Sequence, residues 1–138
     1  MTENEIAHRI VGIALEVHKA IGPGLLESSN KACLAHKLRK EEFFIELEKP
    51  MPLIFKDVKL DCGYRLDLLV ERKVVIEIKS VESFNDVHLA QILTYMKLGN
   101  YKLGLLINFN VALLKEGIRR VINGSLSDKT TMNTMSAQ

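Results

Sequence analysis

The sequence of 138 residues is 47% hydrophobic and 26% charged, a composition typical of one globular domain and unlike that of a disordered chain. No apolar stretch reaches the roughly 20 residues that span a bilayer, and the polar, acidic N-terminus differs from a signal peptide, so we expect a cytoplasmic protein without a membrane partner. The net charge of +2 is too small to indicate nucleic-acid binding by itself, and Cys33 and Cys62 lack the spacing of a zinc ribbon or a disulfide framework.

Two helices are predicted at the start of the chain. Thr2 and Glu5 have the spacing of a capping box, and apolar residues then recur every three or four positions over roughly 18 residues. The Gly-Pro-Gly sequence at 22–24 ends this first helix. A second helix is predicted from about Leu26 to Lys40, with a solvated outer face.

From residue 43 the apolar residues alternate with a period of two, which predicts a β-sheet. Pro50 and Pro52 mark a break or an edge near its beginning. The two strongest strand predictions are rich in β-branched and aliphatic residues and are joined by a polar turn at 71–73. The predicted strands cover 43–48, 52–60, 64–70 and 74–79.

The second half of the chain predicts a helix, another strand and a polar tail. The helix runs from residue 85 or 86 to residue 98, and an apolar strand compatible with burial on both faces follows at 102–109. The stretch 111–123 fits either a short helix or a final strand. Residues 124–138 are polar and aperiodic, which predicts a flexible tail. This order predicts a single α/β domain over 1–123, with helices flanking a mixed β-sheet.

The strongest predicted hairpin has two chemically different faces, because side chains alternate along a strand. The even positions are all apolar or aromatic: Tyr64, Leu66, Leu68, Val70, Val74, Ile76 and Ile78. The odd positions carry the charges: Arg65, Asp67, Glu77 and Lys79, beside Leu69 and Val75. A connecting loop with an odd number of residues, such as 71–73, places Asp67 across from Glu77.

Charged residues in the middle of strands are costly to desolvate unless they pair with each other or with a metal ion. One interpretation is a structural ion-pair ladder on a solvent-exposed face, in which Arg65 and Lys79 neutralise the two acids. The other is that Asp67 and Glu77 bind Mg²⁺ while Lys79 assists an attacking water or a phosphate. The spacing of the residues leaves both interpretations open.

Asp67 and the Glu-Ile-Lys sequence at 77–79 resemble the PD-(D/E)XK nuclease superfamily, in which an acid on one strand and an ExK sequence on the next form the metal centre. Leu66 stands in place of the proline of the motif. On the following helix, Gln91 and Tyr95 resemble the QxxxY pattern of RecB-like members, which include lambda exonuclease. Without the other motifs, this pair would read as a surface amide and a ring at the edge of the core.

The segment 22–30, Gly-Pro-Gly-Leu-Leu-Glu-Ser-Ser-Asn, is similar to the signature of the small GxxExxY proteins, a compact branch of the same superfamily. Asn30 stands where that signature has a tyrosine. Glu27 lies at the start of a helix, where one interpretation is a favourable interaction of its charge with the helix dipole. The resemblance favours the other interpretation, a third carboxylate of the metal site. The similarity extends to Asn123 and covers nearly the whole chain.

The resemblance implies a restriction-endonuclease-like core and a Mg²⁺- or Mn²⁺-dependent nuclease that hydrolyses phosphodiester bonds of nucleic acid, with DNA as the expected substrate. The implied catalytic residues are Lys79, Glu77 and Asp67. The implied metal ligands are Glu27, Asp67, Glu77 and the carbonyl of Ile78. The implied residues for positioning and for nucleic-acid contact are Gln91, Tyr95 and Arg65.

A second hypothesis is a non-catalytic nucleic-acid- or protein-binding module that keeps the nuclease fold, since a fold by itself does not fix a function. The small size of the chain favours it, because no extra domain is predicted that would wrap a duplex. A homo-oligomer is compatible with the sequence under either hypothesis.

Overall fold

The computed structural model describes residues 1–126, and its elements follow the predicted order. A 3₁₀ turn at Leu114–Gly117 precedes the last strand. The helices are α1 (Glu3–Ile21), α2 (Glu27–Lys40) and α3 (Asp86–Gly99). The strands are β1 (Ile45–Pro50), β2 (Leu53–Phe55), β3 (Val58–Leu60), β4 (Arg65–Val70), β5 (Val74–Lys79), β6 (Leu103–Asn108) and β7 (Ile118–Ile122).

The main sheet has five strands in the order β1-β4-β5-β6-β7. Its neighbours are antiparallel except for β5 and β6, which are parallel because α3 carries the chain back across the sheet. The turn between β4 and β5 has the predicted three residues, 71–73. A mixed sheet with helices on both faces confirms the predicted fold class and is consistent with a restriction-endonuclease-like core.

Each face of the sheet buries its own apolar cluster. α1 and α2 cover one face, and the largest fully buried side chains there include Ile6, Ile10, Leu34, Leu38 and Phe109. α3 covers the other face, where Ile92 and Met96 pack against β4, β5 and β6. Full burial of each such side chain contributes about 1.5 to 3 kcal/mol. All six residues of β6 are buried, which confirms the predicted burial of this strand on both faces.

Side-chain caps fix where the helices begin. The Thr2 hydroxyl accepts a hydrogen bond from the Glu5 N–H at 3.2 Å and the Glu5 carboxylate accepts one from the Thr2 N–H at 2.7 Å, which confirms the predicted capping box. Asn85 caps α3 by accepting the His88 N–H at 3.0 Å, and Asn100 ends it in the left-handed conformation at φ 58°. These caps fix the first and last residues of α3, and the packing of Ile92 and Met96 fixes which of its side chains face the sheet.

α3 lies close to the sheet because β6 carries a glycine at the crossing. A Cβ added to Gly104 would lie 2.7 Å from the Met96 Sδ, which is closer than side-chain contacts allow. The absent side chain thus brings α3 near the central strands.

Two stretches are more finely divided than the sequence predicted. The segment 52–60 is a separate two-stranded hairpin, β2–β3, whose turn residues Lys56 and Asp57 have φ of 48° and 66°. The ambiguous stretch 111–123 contains both the 3₁₀ turn and β7, which pairs with β6. Of the tail predicted for 124–138, Leu126 is buried in the cluster under α1, and 127–138 lie outside the described residues.

Candidate active site

Asp67 lies where the regular pairing of the sheet is interrupted. On one side, β1 and β4 pair at Leu47 with Leu68 and again at Lys49 with Leu66, and the intervening pair is missing. On the other side, the pairing of β4 with β5 stops at Leu68, one residue before Asp67 is reached. Glu48, the residue of β1 facing the gap, has a left-handed φ of 51°. The sheet therefore opens around Asp67.

This opening corrects the parity prediction for Leu66. Strict alternation would place Leu66 and Leu68 on one face of the sheet. Leu68 packs under α1 and α2, whereas Leu66 packs with Leu69 in the cluster under α3. The irregular backbone at Asp67 breaks the alternation, so the prediction that all even residues share a face is wrong at this position.

Where the pairing of β4 with β5 stops, the carboxylates of the two acids accept hydrogen bonds from the backbone of the opposite strand. The Asp67 N–H donates to the Glu77 Oε2 at 2.9 Å, and the Ile78 N–H donates to the Asp67 Oδ2 at 2.8 Å. One oxygen of each carboxylate is thereby fixed to the backbone of the opposite strand. Asp67 and Glu77 are held side by side, as the three-residue loop predicts.

Glu77 is the more buried of the two acids. Its side chain is almost wholly enclosed, with the residue 5% exposed, whereas the Asp67 side chain is 21% exposed. Burial, together with the negative charge of Asp67, raises the pKa of Glu77 to about 8, against the opposing effects of the Asp67 N–H and of Lys79 and Lys31. Ionised Glu77 is therefore costly unless another positive charge lies beside the pair.

Lys31 of α2 supplies a positive charge that the sequence analysis missed. Its Nζ lies 3.4 Å from the Asp67 Oδ1 and also binds the carboxylate of Glu48. Burial lowers the pKa of Lys31, but the hydrogen bond to Glu48 and the charge of Asp67 outweigh it and raise that pKa above its ordinary value. Lys31 follows Glu27 by four residues, so the shared helix face was the one signal in the sequence.

The ion-pair ladder expected as the alternative is not what the structure shows. Within residues 1–126, the ion-pair partner of Asp67 is Lys31, and neither Arg65 nor Lys79 pairs with an acid. The expected solvent-exposed face is also wrong, because Glu77 is buried and Leu69 and Val75 lie under α3.

Lys79 is connected to α3 through two polar side chains. Its Nζ donates to the Gln91 Oε1 at 3.4 Å, and the Gln91 Nε2 donates to the Tyr95 hydroxyl at 3.1 Å. Tyr95 is 7% exposed, and its burial raises the pKa of the hydroxyl despite the hydrogen bond from Gln91. Lys79, Gln91 and Tyr95 thus form one hydrogen-bonded chain beside the acid pair.

Glu27 anchors the beginning of α2 to the end of β5. Its Oε2 accepts the Ser80 N–H at 3.1 Å, and the Ser80 hydroxyl donates to the Leu25 carbonyl at 3.2 Å. Across residues 1–126, no three His, Cys, Asp or Glu side chains converge as a ready-made metal site. The structure thus brings Asp67 and Glu77 together without adding Glu27 to their set.

Two further predicted positions differ in environment. Arg65 is exposed at the start of β4, opposite Pro50 on β1. Asn30, which stands in place of the signature tyrosine, is 1% exposed, and within the described residues its Oδ1 has no hydrogen-bond partner.

The donor set fits a small divalent cation. Asp67 and Glu77 each use one oxygen to accept a backbone N–H, which leaves the Glu77 Oε1 and the Asp67 Oδ1 to face other partners. Carboxylate oxygens are the ligands that Mg²⁺ prefers, usually one or two of them with water completing the shell. A cation here would also offset the burial and the repulsion by Asp67 that together raise the pKa of Glu77.

A family model described as the PD-(D/E)XK nuclease superfamily matches residues 4–121 of the chain. No curated protein and no solved structure matches the chain significantly.

Among residues 1–126, no helix combines the length and apolar character needed to cross a membrane.

Proposed function

The chain belongs to the PD-(D/E)XK nuclease superfamily, and from that premise we propose that it is a divalent-metal-dependent nuclease that hydrolyses phosphodiester bonds of DNA. The observation that carries the proposal is the pair of buried Glu77 and partly exposed Asp67, held together at the opening of the sheet by hydrogen bonds from the backbone of the opposite strand. Without a cation, ionisation of Glu77 is costly, because burial and the charge of Asp67 raise its pKa to about 8.

Asp67, Glu77 and the carbonyl of Ile78 would hold Mg²⁺ or Mn²⁺. When bound, the ion supplies Lewis-acid chemistry: it lowers the pKa of a coordinated water and neutralises charge on the phosphate. Glu27 is proposed as an additional ligand, since it lies at the end of β5 that carries Glu77.

Lys79 would orient the attacking water or an oxygen of the scissile phosphate with its ammonium group. Its hydrogen bond to Gln91 holds the long, flexible side chain next to the acid pair, and the bond from Gln91 to Tyr95 fixes the amide in turn. Because the Tyr95 ring is buried, this series of hydrogen bonds from Lys79 to Tyr95 ends in the core under α3. Arg65, exposed at the beginning of the same strand as Asp67, would contact the phosphate backbone of the substrate.

The direct test incubates the purified chain with single- and double-stranded DNA and RNA in the presence of Mg²⁺, Mn²⁺ or EDTA. We expect cleavage of DNA that requires the metal and is lost in Glu77→Ala and Lys79→Ala. Lys102→Ala, which removes an exposed lysine before β6, is the matched control and should retain activity. Cleavage that persists unchanged in the Glu77 and Lys79 variants would refute the proposal.

The second candidate is a non-catalytic nucleic-acid- or protein-binding module. The observation that favours it is the ion pair between Lys31 and Asp67, because a lysine already neutralises one of the two acids. Calorimetric titration with Mn²⁺ separates the candidates. A nuclease centre should bind Mn²⁺ in the unmodified chain and lose this binding in Asp67→Asn, whereas the binding module predicts no Mn²⁺ heat in either protein.

A further inference from the structure

A pocket of about 350 Å³ adjoins the candidate active site on the α3 side of the sheet. It lies between β2, the residue preceding β4 and the outer face of α3. Its lining includes Leu53, Tyr64, Val87, Ala90, Gln91 and Tyr95. Its volume is at the lower end of the roughly 300 to 1,000 Å³ of small-molecule pockets, so it suits a compact ligand.

The walls of this pocket are suited to a flat, aromatic group. The Tyr64 and Tyr95 rings pack against each other, with centroids 5.9 Å apart and planes tilted by 50°, so they form one continuous aromatic wall of the pocket. Tyr64 is 41% exposed, which leaves much of its ring free to contact a ligand. Leu53 and Ala90 add apolar surface. Base stacking on aromatic side chains is a general way in which proteins bind unpaired nucleotides.

The pocket also carries hydrogen-bonding capacity and a direct connection to the acid pair. Gln91 lines it, and the Oε1 of the same side chain accepts the hydrogen bond from Lys79. Beyond its bonds to Lys79 and Tyr95, the Gln91 amide keeps one N–H and one oxygen lone pair for the polar edge of a nucleobase. Tyr64 lies three residues before Asp67 in the sequence, so its side of the pocket is also near the acid pair.

We propose that this pocket binds one unpaired nucleobase of the substrate, next to the phosphate whose hydrolysis the acid pair and Lys79 would promote. A base stacked within a continuous duplex presents only its edges, so it cannot place its face against Tyr64. The substrate class is therefore nucleic acid with unpaired nucleotides, such as a single strand, an overhang or a frayed end. The position of the base beside the scissile phosphate rests on the proposed nuclease function. Binding of the base does not require cleavage.

The test measures binding by fluorescence anisotropy in the full chain carrying Glu77→Gln, which keeps the strand intact. Three labelled ligands of equal length are compared: a single DNA strand, the same strand with contiguous abasic sites, and a blunt duplex. We expect the intact strand to bind about tenfold more tightly than the abasic strand, as stacking of a single base would give. The duplex should bind more weakly than the intact strand.

Substitutions in the pocket identify where the base binds. Ala90→Trp, which fills the pocket, and Tyr64→Ala should each remove the difference between intact and abasic strands, while Tyr64→Phe should keep it. Phe44→Ala, which removes an exposed aromatic ring on a different part of the surface, is the matched control and should also keep it. Thermal unfolding of each variant verifies that it is folded.

Equal affinity for intact and abasic strands in the Glu77→Gln protein would overturn the proposal, and so would a Tyr64→Ala variant that weakens both strands equally. Failure of the nuclease function would look different: the unmodified chain would not cleave DNA, yet the preference for intact strands would remain.

Discussion

The replacement Glu77→Gln should stabilise the protein at alkaline pH while it removes cleavage. Glutamine has nearly the shape of a protonated glutamate, and its side-chain oxygen can still accept the Asp67 N–H. It lacks the negative charge that burial and Asp67 disfavour at this position. The variant therefore separates the cost of the buried charge from the hydrogen bond that holds the strands.

The magnitude follows from the pKa of Glu77, which is raised from its ordinary value of 4.5 to about 8. The folded chain then holds a proton that the unfolded chain has released, so the stability that this group contributes is fully present below about pH 4.5 and is lost as the pH rises through about 8. At about 1.4 kcal/mol per pKa unit, the shift corresponds to an upper limit of roughly 5 kcal/mol. Because water and the nearby lysines rearrange around an ionised carboxylate, we expect about 2 to 3 kcal/mol.

The assay is urea unfolding at about pH 5 and about pH 9 in the presence of EDTA. The free energy of unfolding of the unmodified chain should fall more steeply with pH than that of Glu77→Gln, so the variant should be the more stable protein at about pH 9. Glu82→Gln removes one exposed negative charge and serves as the control. Equal pH slopes for Glu77→Gln and the unmodified chain, or a variant that is less stable at about pH 9, would refute the reasoning.

Three other substitutions probe the surroundings of the acid pair. Lys31→Met should tighten Mn²⁺ binding about tenfold in calorimetry, because it removes a positive charge 3.4 Å from the Asp67 Oδ1; weaker binding would mean that Lys31 positions Asp67 instead of competing with the ion. Gln91→Leu should lower kcat about tenfold, since it removes the hydrogen bond that orients Lys79, and should raise KM by a smaller factor, since Gln91 also lines the pocket; a change confined to KM would contradict a positioning role. Asn85→Ala should lower the free energy of unfolding by about 1 kcal/mol in urea, because it removes the cap of α3; an unchanged value would show that packing alone fixes the start of this helix.

Local chemistry made most of the fold predictable. The capping box at Thr2 and Glu5 and the caps of α3 involve residues within a few positions of each other, so the sequence shows both partners together. The β4–β5 hairpin was predictable for the same reason, since its turn has three polar residues between two apolar runs. The β2–β3 turn was missed because Lys56-Asp57 is not one of the glycine-containing pairs that mark two-residue hairpins.

The parts of the site that the sequence could not predict depend on contacts between distant segments. Lys31 on α2 meets Glu48 on β1 and Asp67 on β4, and no periodicity relates these three positions. The face on which Leu66 lies depends on the interrupted pairing at Asp67. Side chains alternate between faces only while the strand pairing is regular, so alternation does not predict the face of a residue next to an interrupted pairing.

Around Asp67, two backbone N–H groups donate to carboxylates in place of carbonyls. These two amide protons are therefore sensitive to whether the carboxylates are protonated or bind a ligand. The N–H groups of Asp67 and Ile78 donate to side-chain oxygens, whereas those of a regular ladder donate to carbonyls, and we expect these hydrogen bonds to slow deuterium exchange. Protonation or ligation of either acid alters these acceptors directly. The hydrogen-exchange rates of these two amides, followed by NMR, therefore report the protonation or ligation of the carboxylates without a substrate.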